Sequence, residues 1–356
     1  MKQGKTLKEI MSILKAQRAG RKDLLVKTDC VRLTVVDGKE LLNITTAKES
    51  FNFAISANAH KQLAEWIKLP SKYYDSVRRE KPQLLENLLN AWFARSDQYK
   101  LFRMQDNTLT AFFNDCYLRY DNMDLLDVVS ILLEGQRTLQ LVSADLTPER
   151  MYLKIIDRNY KEVLKNGDCI YAGLVISNSE IGVDTLKFEP MFYKAKTKSC
   201  YIFRDYAKRI YHTDKQVSKN CVDQELIDYD SIAMNFEPLQ ESIVDIIADT
   251  IKAQPAVKTM ALIKVDDAAN MDLHSDYLRS VDSISTTYRL STQEKAQLYL
   301  NMANSQDKSY LAIISALSDR NAAMDYTRAT ELERIAGTIL LGFRQDISKE
   351  SECHAC

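Results

Sequence analysis

Three lysines, Lys194, Lys196 and Lys198, alternate with small or uncharged residues. Side chains alternate between the two faces of a β-strand, so we expect these lysines on one face, about 6–7 Å apart. That spacing is close to the phosphate spacing of an extended nucleic-acid strand. The pattern therefore predicts a strand that follows a phosphate backbone. The structural alternative is an edge strand whose lysines prevent edge-to-edge association.

Aromatic and basic residues continue this segment, and such residues can stack on unpaired bases and contact phosphates. The predicted nucleic-acid-binding residues are Lys194, Lys196, Lys198, Tyr201, Phe203, Arg204, Tyr206, Lys208 and Arg209. The local net charge is +6 over residues 187–219 and +6 over residues 1–28, against −9 over residues 221–282, although the whole chain carries only −1. A folded chain with charge segregated in this way can present a basic face.

Catalytic signatures are missing from the sequence. Gly4-Lys5-Thr6 resembles the end of a phosphate-binding loop, but no strand and no earlier glycine precede it. The four histidines lie far apart, and Cys353, His354 and Cys356 belong to a polar terminal stretch in which we expect exposed thiols. We therefore expect no catalytic residue, no cofactor and no bound metal. These features favour a binding protein over an enzyme.

Five carboxylates fall near predicted strand ends: Asp115, Asp121, Glu180, Asp184 and Glu189. In one interpretation some of them, with Asp115, Asp121 and Glu180 foremost, bind a divalent cation for phosphoryl chemistry. In the other interpretation they are structural and pair with Arg103, Arg119 and Lys187. Asp121 directly precedes a predicted helix, so helix capping is its expected role.

The elements that must position these residues indicate an α+β fold. Asp37-Gly38 and Asp106-Asn107 each separate two apolar runs and predict β-hairpin turns. Ser56 or Asn58 can cap a following helix. We expect a basic N-terminal helix (1–28), a β-rich α+β domain with hairpins and flanking helices (29–220), an all-helical region packed on it (221–345) and a flexible tail (346–356).

Compartment and assembly are predicted from apolar patterning and cysteine usage. No apolar run is long enough to cross a membrane, and the seven cysteines are scattered, which is typical of reduced thiols in the cytoplasm. In the C-terminal region Leu311, Ile313, Ile314 and Leu317 spread over more than one face of a helix. Such a helix is either internal to the helical region or partly covered by another subunit. The second case corresponds to a homo-oligomer with contacts in the helical region, and this is the state that we predict.

Two segments resemble the signatures of a phage/plasmid-like family of uncharacterised proteins. The first, FRMQDNTLTAFFNDCYLRYDNMDLL, matches at Arg103, Ala111, Phe112, Asp115, Tyr117, Asp121 and Asn122. The second, ISNSEIGVDTLKFEPMFY, matches at Asn178, Ser179, Glu180, Gly182, Glu189 and Pro190. Asn114 stands where the family usually has serine, and the Cys-x-Asn-Gly that normally follows the second signature is not evident.

The resemblance implies a protein of a phage or mobile element, within the cytoplasm of its host. Its hairpins, helix and basic strands are also loosely similar to single-strand annealing proteins. The leading hypothesis is a single-stranded nucleic-acid-binding protein, with a recombination or annealing role and a homo-oligomeric state. One alternative is a metal-dependent enzyme acting on nucleic acid or nucleotides. Another is a factor that binds a host protein through its acidic helical region.

Overall fold

The computed structural model describes residues 1–2, 4–47, 50–95, 98–164, 167–212, 226–228, 237–252, 255–273, 276–318 and 324–352. Two sheets occupy the N-terminal and central parts of the chain, and helices dominate its C-terminal part. The predicted α+β class is therefore confirmed. The predicted terminal tail, with Cys353, His354 and Cys356, lies outside the described residues.

The first sheet has seven strands in the order β13-β1-β5-β6-β4-β3-β2, with labels that follow chain order. Its strands are β1 (Arg21–Lys27), β2 (Val31–Val36), β3 (Lys39–Thr45), β4 (Ser50–Ile55), β5 (Tyr99–Gln105), β6 (Thr108–Asn114) and β13 (Leu226–Asp228). β1 pairs antiparallel with β5 and with β13. Residues 1–28, predicted as one basic helix, thus contribute a central strand, and the region predicted as all-helical contributes β13.

Both predicted hairpin turns are present in this sheet. Asp37 and Gly38 join β2 to β3 with φ of 51° and 73°, and Asp106 turns β5 into β6 with φ of 52°. Positive φ suits glycine and is tolerated by aspartate and asparagine, whose short polar side chains can hydrogen-bond locally. The turn chemistry therefore sets the register of both hairpins.

Three helices cover one face of the first sheet: α2 (Ala57–Trp66), α3 (Ser71–Glu80) and α4 (Pro82–Arg95). The Ser56 hydroxyl accepts a hydrogen bond from the Ala59 amide at 3.2 Å, so the predicted cap of α2 is confirmed. Trp66 packs against Phe93 of α4 and Phe112 of β6, with ring centroids 5.0 and 5.3 Å apart. These aromatic contacts attach the helices to the sheet.

The second sheet has the strand order β11-β10-β9-β8-β7, with β12 also paired to β10. Its strands are β7 (Leu139–Leu146), β8 (Met151–Val163), β9 (Cys169–Asn178), β10 (Leu186–Lys194), β11 (Ser199–Ile202) and β12 (Lys208–Ile210). Helices α1 (Leu7–Ala19), α5 (Asn122–Gly135) and α6 (Glu237–Lys252) pack on it through a shared apolar core. Since α1 packs here and β1 belongs to the first sheet, the N-terminal segment connects the two sheets.

The remaining C-terminal helices are α7 (Pro255–Asn270), α8 (Tyr277–Thr287), α9 (Thr292–Asn304), α10 (Tyr310–Leu317) and α11 (Tyr326–Glu352). In α10, Leu311, Ile313, Ile314 and Leu317 are all buried in the core formed with the neighbouring helices and the second sheet. α10 is therefore an internal helix, and its apolar faces are covered within the chain. Within the described part of the chain, no helix combines the length and apolar character needed to cross a membrane.

Candidate functional site: a buried charge cluster and two cavities

The predicted lysine-bearing strand does not continue far enough to align its lysines. β10 ends at Lys194, residues 195–198 form a turn, and Lys194 pairs with Ser199 at the start of β11. Lys194 is 3% exposed and its Nζ lies 2.8 Å from Asp168 Oδ2. Lys196 is exposed beside the same carboxylate, while Lys198 has φ of 52° in the turn. The prediction of three lysines on one strand face is wrong, because the chain reverses after Lys194.

Two of the predicted stacking residues are inside the protein. Tyr201 is 0% and Phe203 2% exposed, and the Tyr201 hydroxyl lies 2.8 Å from that of Ser315 in α10. Helix α11 lies against β11 here, since a Cβ at Gly337 would come within 2.1 Å of the Ile202 carbonyl oxygen. Tyr201 and Phe203 therefore belong to the core and are unavailable to bases. Tyr206 is half-buried against the same core.

The other predicted contacts, Arg204, Lys208 and Arg209, lie near the surface. Arg204 pairs with Glu331 of α11, and Lys208 Nζ lies 3.3 Å from Asp249 Oδ2. Arg209 is exposed, and its side chain has no ion pair or hydrogen bond within the residues that the structure describes. Arg204 and Arg209 line one cavity of about 520 Å³, here called the basic cavity, whereas Lys194, Lys196 and Lys198 lie outside it.

The basic cavity is formed by β10, β12, the start of α11 and the residues around Arg150. Its cationic lining residues are Arg150, Lys187, Arg204, Arg209, Arg328 and Arg334. Its acidic lining residues are Asp184, Glu189, Asp325 and Glu331. Glu294, outside the lining, accepts two hydrogen bonds from Arg328 at 2.6 and 2.9 Å, so six cations against five carboxylates leave a net charge of +1 around an open space. An anion is therefore the ligand class that this lining attracts.

Some of these cations are structural. Arg334 forms a two-pronged contact with Glu189, with Nε–Oε1 and Nη2–Oε2 distances of 2.9 and 2.5 Å. Burial works against the charge of Arg334, but the hydrogen bonds and field of Glu189 raise its pKa above the ordinary value. Lys187 Nζ lies 2.6 Å from Asp184 Oδ2. The Arg334–Glu189 pair attaches α11 to β10, whereas the Lys187–Asp184 pair joins β10 to the segment before it. Both pairs support the structural interpretation of Glu189 and Asp184.

Arg150 is held more loosely than its neighbours in the basic cavity. Its Nε lies 3.5 Å from Asp184 Oδ2, and its Nη1 lies 3.6 Å from Glu149 Oε2. Both distances exceed a good charge-assisted hydrogen bond, and the buried Nε has no hydrogen-bond partner among the described residues. Buried N–H groups in folded proteins nearly always have an acceptor. The buried Nε is out of reach of a ligand, but the loosely held guanidinium of Arg150 forms part of the cavity lining.

A second site is formed by the residues that matched the two family signatures. Arg103 lies on β5, and its Nε and Nη2 donate to Asp23 at 2.9 and 2.7 Å. Nη2 also donates to Asp121 at 3.1 Å, while Nη1 donates to the Glu180 carbonyl at 2.8 Å. We define the buried charge cluster by its six charged residues: Arg21, Asp23, Arg103, Arg119, Asp121 and Glu180. It joins β1 and β5 of the first sheet to the loops around the second.

Arg21 completes the pairing of the cluster carboxylates. Its Nη1 lies 2.9 Å from Asp121 Oδ2, and its Nη2 donates to Glu180 Oε2 at 2.6 Å. The other Glu180 oxygen accepts from the Asn122 amide at 2.6 Å, at the first residue of α5. Asp121 itself makes no side-chain capping bond. The capping role predicted for Asp121 is therefore wrong, because Glu180 reaches the helix terminus from another segment.

Burial and pairing set the protonation of the two acids in different directions. Burial opposes the charge of Asp121, but Arg103, Arg21 and Arg119 together outweigh it and lower the pKa of Asp121. Burial raises the pKa of Glu180, and its arginine partners offset only part of this effect. The arginines therefore favour the ionised form of Asp121, whereas burial disfavours the ionised form of Glu180.

Polar residues of the second signature position its turn. Asn178 Nδ2 donates to the Tyr120 carbonyl and to Asn122 Oδ1, each at 3.1 Å. The Ser179 hydroxyl accepts from the Val183 amide at 3.2 Å. Gly182 has φ of 72°, and a Cβ there would lie 2.4 Å from the Phe113 ring. Glycine is required at this position on both counts.

The cluster does not have the chemistry expected of a metal centre. Asp121 and Glu180 both direct oxygens at Arg21, so positive charge already occupies the space between them. Asp115 acts instead on Lys100, whose pKa is lowered by burial and partly restored by that carboxylate. Across the described ranges, no group of three histidine, cysteine or acidic side chains is placed to hold a metal ion. Nothing here supports the alternative interpretation in which Asp115, Asp121 and Glu180 bind a divalent cation.

An aromatic cavity of about 410 Å³ lies beside Tyr117. The Tyr117 ring is stacked between Phe113 and His212, at centroid distances of 3.7 and 5.2 Å and interplanar angles of 7° and 13°. Burial lowers the pKa of His212, and its hydrogen bond to the Leu118 carbonyl only partly opposes this. The lining residues are Gln62, Glu65, Trp66, Phe112, Phe113, Asn114, Cys116, Tyr117 and His212.

Several of these residues were not predicted as site residues. Arg21 and Asp23 sit in a segment whose charge suggested a surface helix, although the apolar run Leu24-Leu25-Val26 is a signal for a buried strand. His212 and Trp66 had no recognisable motif. They line the same cavity only because the fold brings the end of α2, with Trp66, close to the segment after β12, with His212.

Comparison with known proteins assigns no family and no function to this chain. No protein-family model, no curated protein and no solved structure matches this chain.

Proposed function

We propose that this chain binds single-stranded nucleic acid, with the basic cavity as the phosphate-binding site. The observation that carries the proposal is the unsatisfied cationic character of that cavity. The Arg209 side chain is exposed without a partner in the described part of the chain, and the Arg150 guanidinium has only long contacts, to Asp184 and Glu149. A phosphate would accept hydrogen bonds from the terminal guanidinium nitrogens of these arginines, and its negative charge suits the excess of cations in the lining.

The proposed phosphate-contacting residues differ in part from those predicted from the sequence. Arg204 and Arg209 are kept from the sequence prediction, while Lys187, Arg150 and Arg328 replace the lysines of the β10–β11 turn. Arginine suits this role because its planar guanidinium can donate to a carboxylate and a phosphate at the same time. Arg204, which pairs with Glu331, retains further N–H donors for a ligand.

Membership of the phage/plasmid-like family, a recombination or annealing role and a homo-oligomeric state in the host cytoplasm are further parts of the proposal. Its support is that Arg103, Asp121, Asn122, Asn178 and Glu180, matched in two separate segments, meet in one cluster. Since α10 is covered within the chain, an oligomer would use other surfaces. Light scattering with and without oligonucleotide tests this part.

Fluorescence anisotropy with a labelled single-stranded oligonucleotide tests the phosphate-binding site. We expect affinity to fall steeply with salt, because each neutralised phosphate contributes about −0.7 to the log–log slope on single strands. Arg150→Gln with Arg209→Gln should reduce that slope by about 1.4 and weaken binding at low salt by roughly tenfold. Loss of Arg150 leaves Asp184 paired with Lys187, so the fold should be retained.

The matched control is Arg79→Gln, which removes an exposed arginine of α3 far from any cavity lining. It should leave both affinity and salt slope unchanged. Salt-independent binding, absence of binding, or an equal effect of the control would contradict the proposal. A duplex of the same sequence should bind more weakly than the single strand.

A further inference from the structure

The aromatic cavity has one large ring that the phosphate contacts do not use. Phe113, Tyr117 and His212 stack on one another, so both faces of Tyr117 are covered within the chain, and Phe113 is only 7% exposed. Trp66 is a partly exposed ring of the same lining and supplies the stacking surface. A volume of about 410 Å³ falls within the roughly 300–1,000 Å³ common for small-molecule sites. Stacking against aromatic side chains is the usual way in which proteins hold an unpaired base.

Two polar groups at the cavity restrict the kind of base that fits. Glu65 is exposed, and its carboxylate has no hydrogen bond or ion pair within the described residues. It can only accept hydrogen bonds. Asn114 accepts from Lys100 Nζ at 2.6 Å through Oδ1, which leaves its amide nitrogen as a donor. The cavity therefore offers a carboxylate that can accept two hydrogen bonds and an amide nitrogen that can donate one.

We propose that the aromatic cavity binds one unpaired guanine base, an inference that rests on the proposed nucleic-acid-binding function. The Watson–Crick edge of guanine has two adjacent donors, N1–H and the N2 amino group, next to the O6 acceptor. Glu65 accepts from the two donors, Asn114 donates to O6, and the base plane stacks on the Trp66 ring. Adenine presents an unprotonated N1 to the carboxylate, and uracil presents a single donor between two acceptors.

Nucleosides provide the test because they carry no phosphate and so cannot use the basic cavity. The chain has two tryptophans, Trp66 and Trp92, with ring centroids 6.0 Å apart, so a base entering beside Trp66 should quench the intrinsic fluorescence. We expect guanosine to quench and to release heat in calorimetry. Adenosine, cytidine and uridine should bind at least roughly tenfold more weakly.

Glu65→Gln should weaken guanosine binding by roughly tenfold and reduce the preference over adenosine, since an amide offers only one acceptor. The matched control is Glu134→Gln, an exposed glutamate of α5 that lines neither cavity. Unchanged binding in the control and weaker binding in Glu65→Gln would support the inference. No guanosine binding, or equal affinity for all four nucleosides with no effect of Glu65→Gln, would overturn it.

The two proposals can fail separately. Guanosine binding that depends on Glu65, with no salt-dependent oligonucleotide binding, would retain the base site and remove the phosphate site. Oligonucleotide binding that depends on Arg150 and Arg209, with no difference between guanine-containing and guanine-free sequences, would do the reverse.

Discussion

The buried charge cluster and the basic cavity both combine cationic side chains with carboxylates, but in different proportions and at different depths. In the cluster, three arginines face three carboxylates, and the side chains of Arg103 and Asp23 are 3% and 0% exposed. In the basic cavity, six cations face four carboxylates around an open space. The cluster is balanced in charge and largely buried, while the cavity has an excess of cations and is accessible.

The difference shows that charge balance and burial decide whether an arginine stabilises the fold or is free to bind a ligand. A buried ion must be matched by opposite charge and hydrogen bonds, so each cluster arginine is committed to the fold. At the cavity, the Arg209 side chain is exposed and the Arg150 guanidinium has only long contacts, so neither is fully committed to the fold. Arg103, Asp121 and Glu180, three of the residues that matched the family signatures, belong to the structural cluster, and the proposed ligand site lies outside it.

The largest expected effect is in the cluster. Arg103→Met should lower the free energy of unfolding by about 3–5 kcal/mol, because it leaves buried carboxylates without their main partner. Chemical denaturation measures this change. Arg79→Met, at an exposed ion pair, should change it by less than about 0.5 kcal/mol. Similar values for the two variants would show that the cluster does not stabilise the fold.

Lys194 and Lys196 allow a buried and an exposed cation to be compared at the same carboxylate, Asp168. Both contact Asp168, but Lys194 is buried at 2.8 Å whereas the Lys196 side chain is 77% exposed at 3.6 Å. Lys194→Met should cost about 1.5–3 kcal/mol of unfolding free energy, and Lys196→Met less than about 0.5 kcal/mol. Equal costs in denaturant titrations would mean that Lys194 is as solvated as the sequence pattern suggested.

His60 tests what burial does to a cation without a carboxylate partner. Its Nδ1 lies 2.9 Å from the Tyr74 hydroxyl, and burial, with some help from Arg78, lowers the pKa of His60 to about 3. Below the ordinary value of about 6.5, the unfolded chain takes up a proton that the folded chain excludes. Stability should therefore fall as the pH drops from about 6.5 towards 3, by about 1.4 kcal/mol per pH unit from this group.

The measurement compares denaturant midpoints at several pH values in the wild type and in His60→Gln. Carboxylates titrate equally in both proteins, so the difference between them isolates His60. The variant should lose the part of the pH dependence between about pH 6 and pH 5, where few carboxylates titrate. Parallel curves would show that His60 can be protonated in the folded protein.

The smallest change in stability is expected at the cavity. Arg209→Gln should alter the free energy of unfolding by less than about 0.5 kcal/mol, since the side chain is exposed. It should still weaken oligonucleotide binding, in contrast to Arg103→Met, whose main effect is on folding. A clear loss of stability in Arg209→Gln, measured by thermal denaturation, would place Arg209 with the structural arginines.

Local features could be predicted from the sequence because they depend on neighbouring residues. Asp37-Gly38 forms its hairpin turn, Ser56 caps α2 and Gly182 adopts positive φ, each for a reason visible within a few residues. The α+β class follows from such local patterns taken together. The structural pairing of Asp121 with Arg103 could also be anticipated from residue types.

The tertiary structure decided everything that depends on which surfaces meet. The alternation of Lys194, Lys196 and Lys198 is compatible with a strand, but only the packing of α11 and α10 on β11 shows that the chain turns there and buries Tyr201. Arg21 and Glu180 are 159 positions apart. Period and residue type determine which face a side chain occupies, whereas burial and ion pairing depend on the neighbours that the whole fold provides.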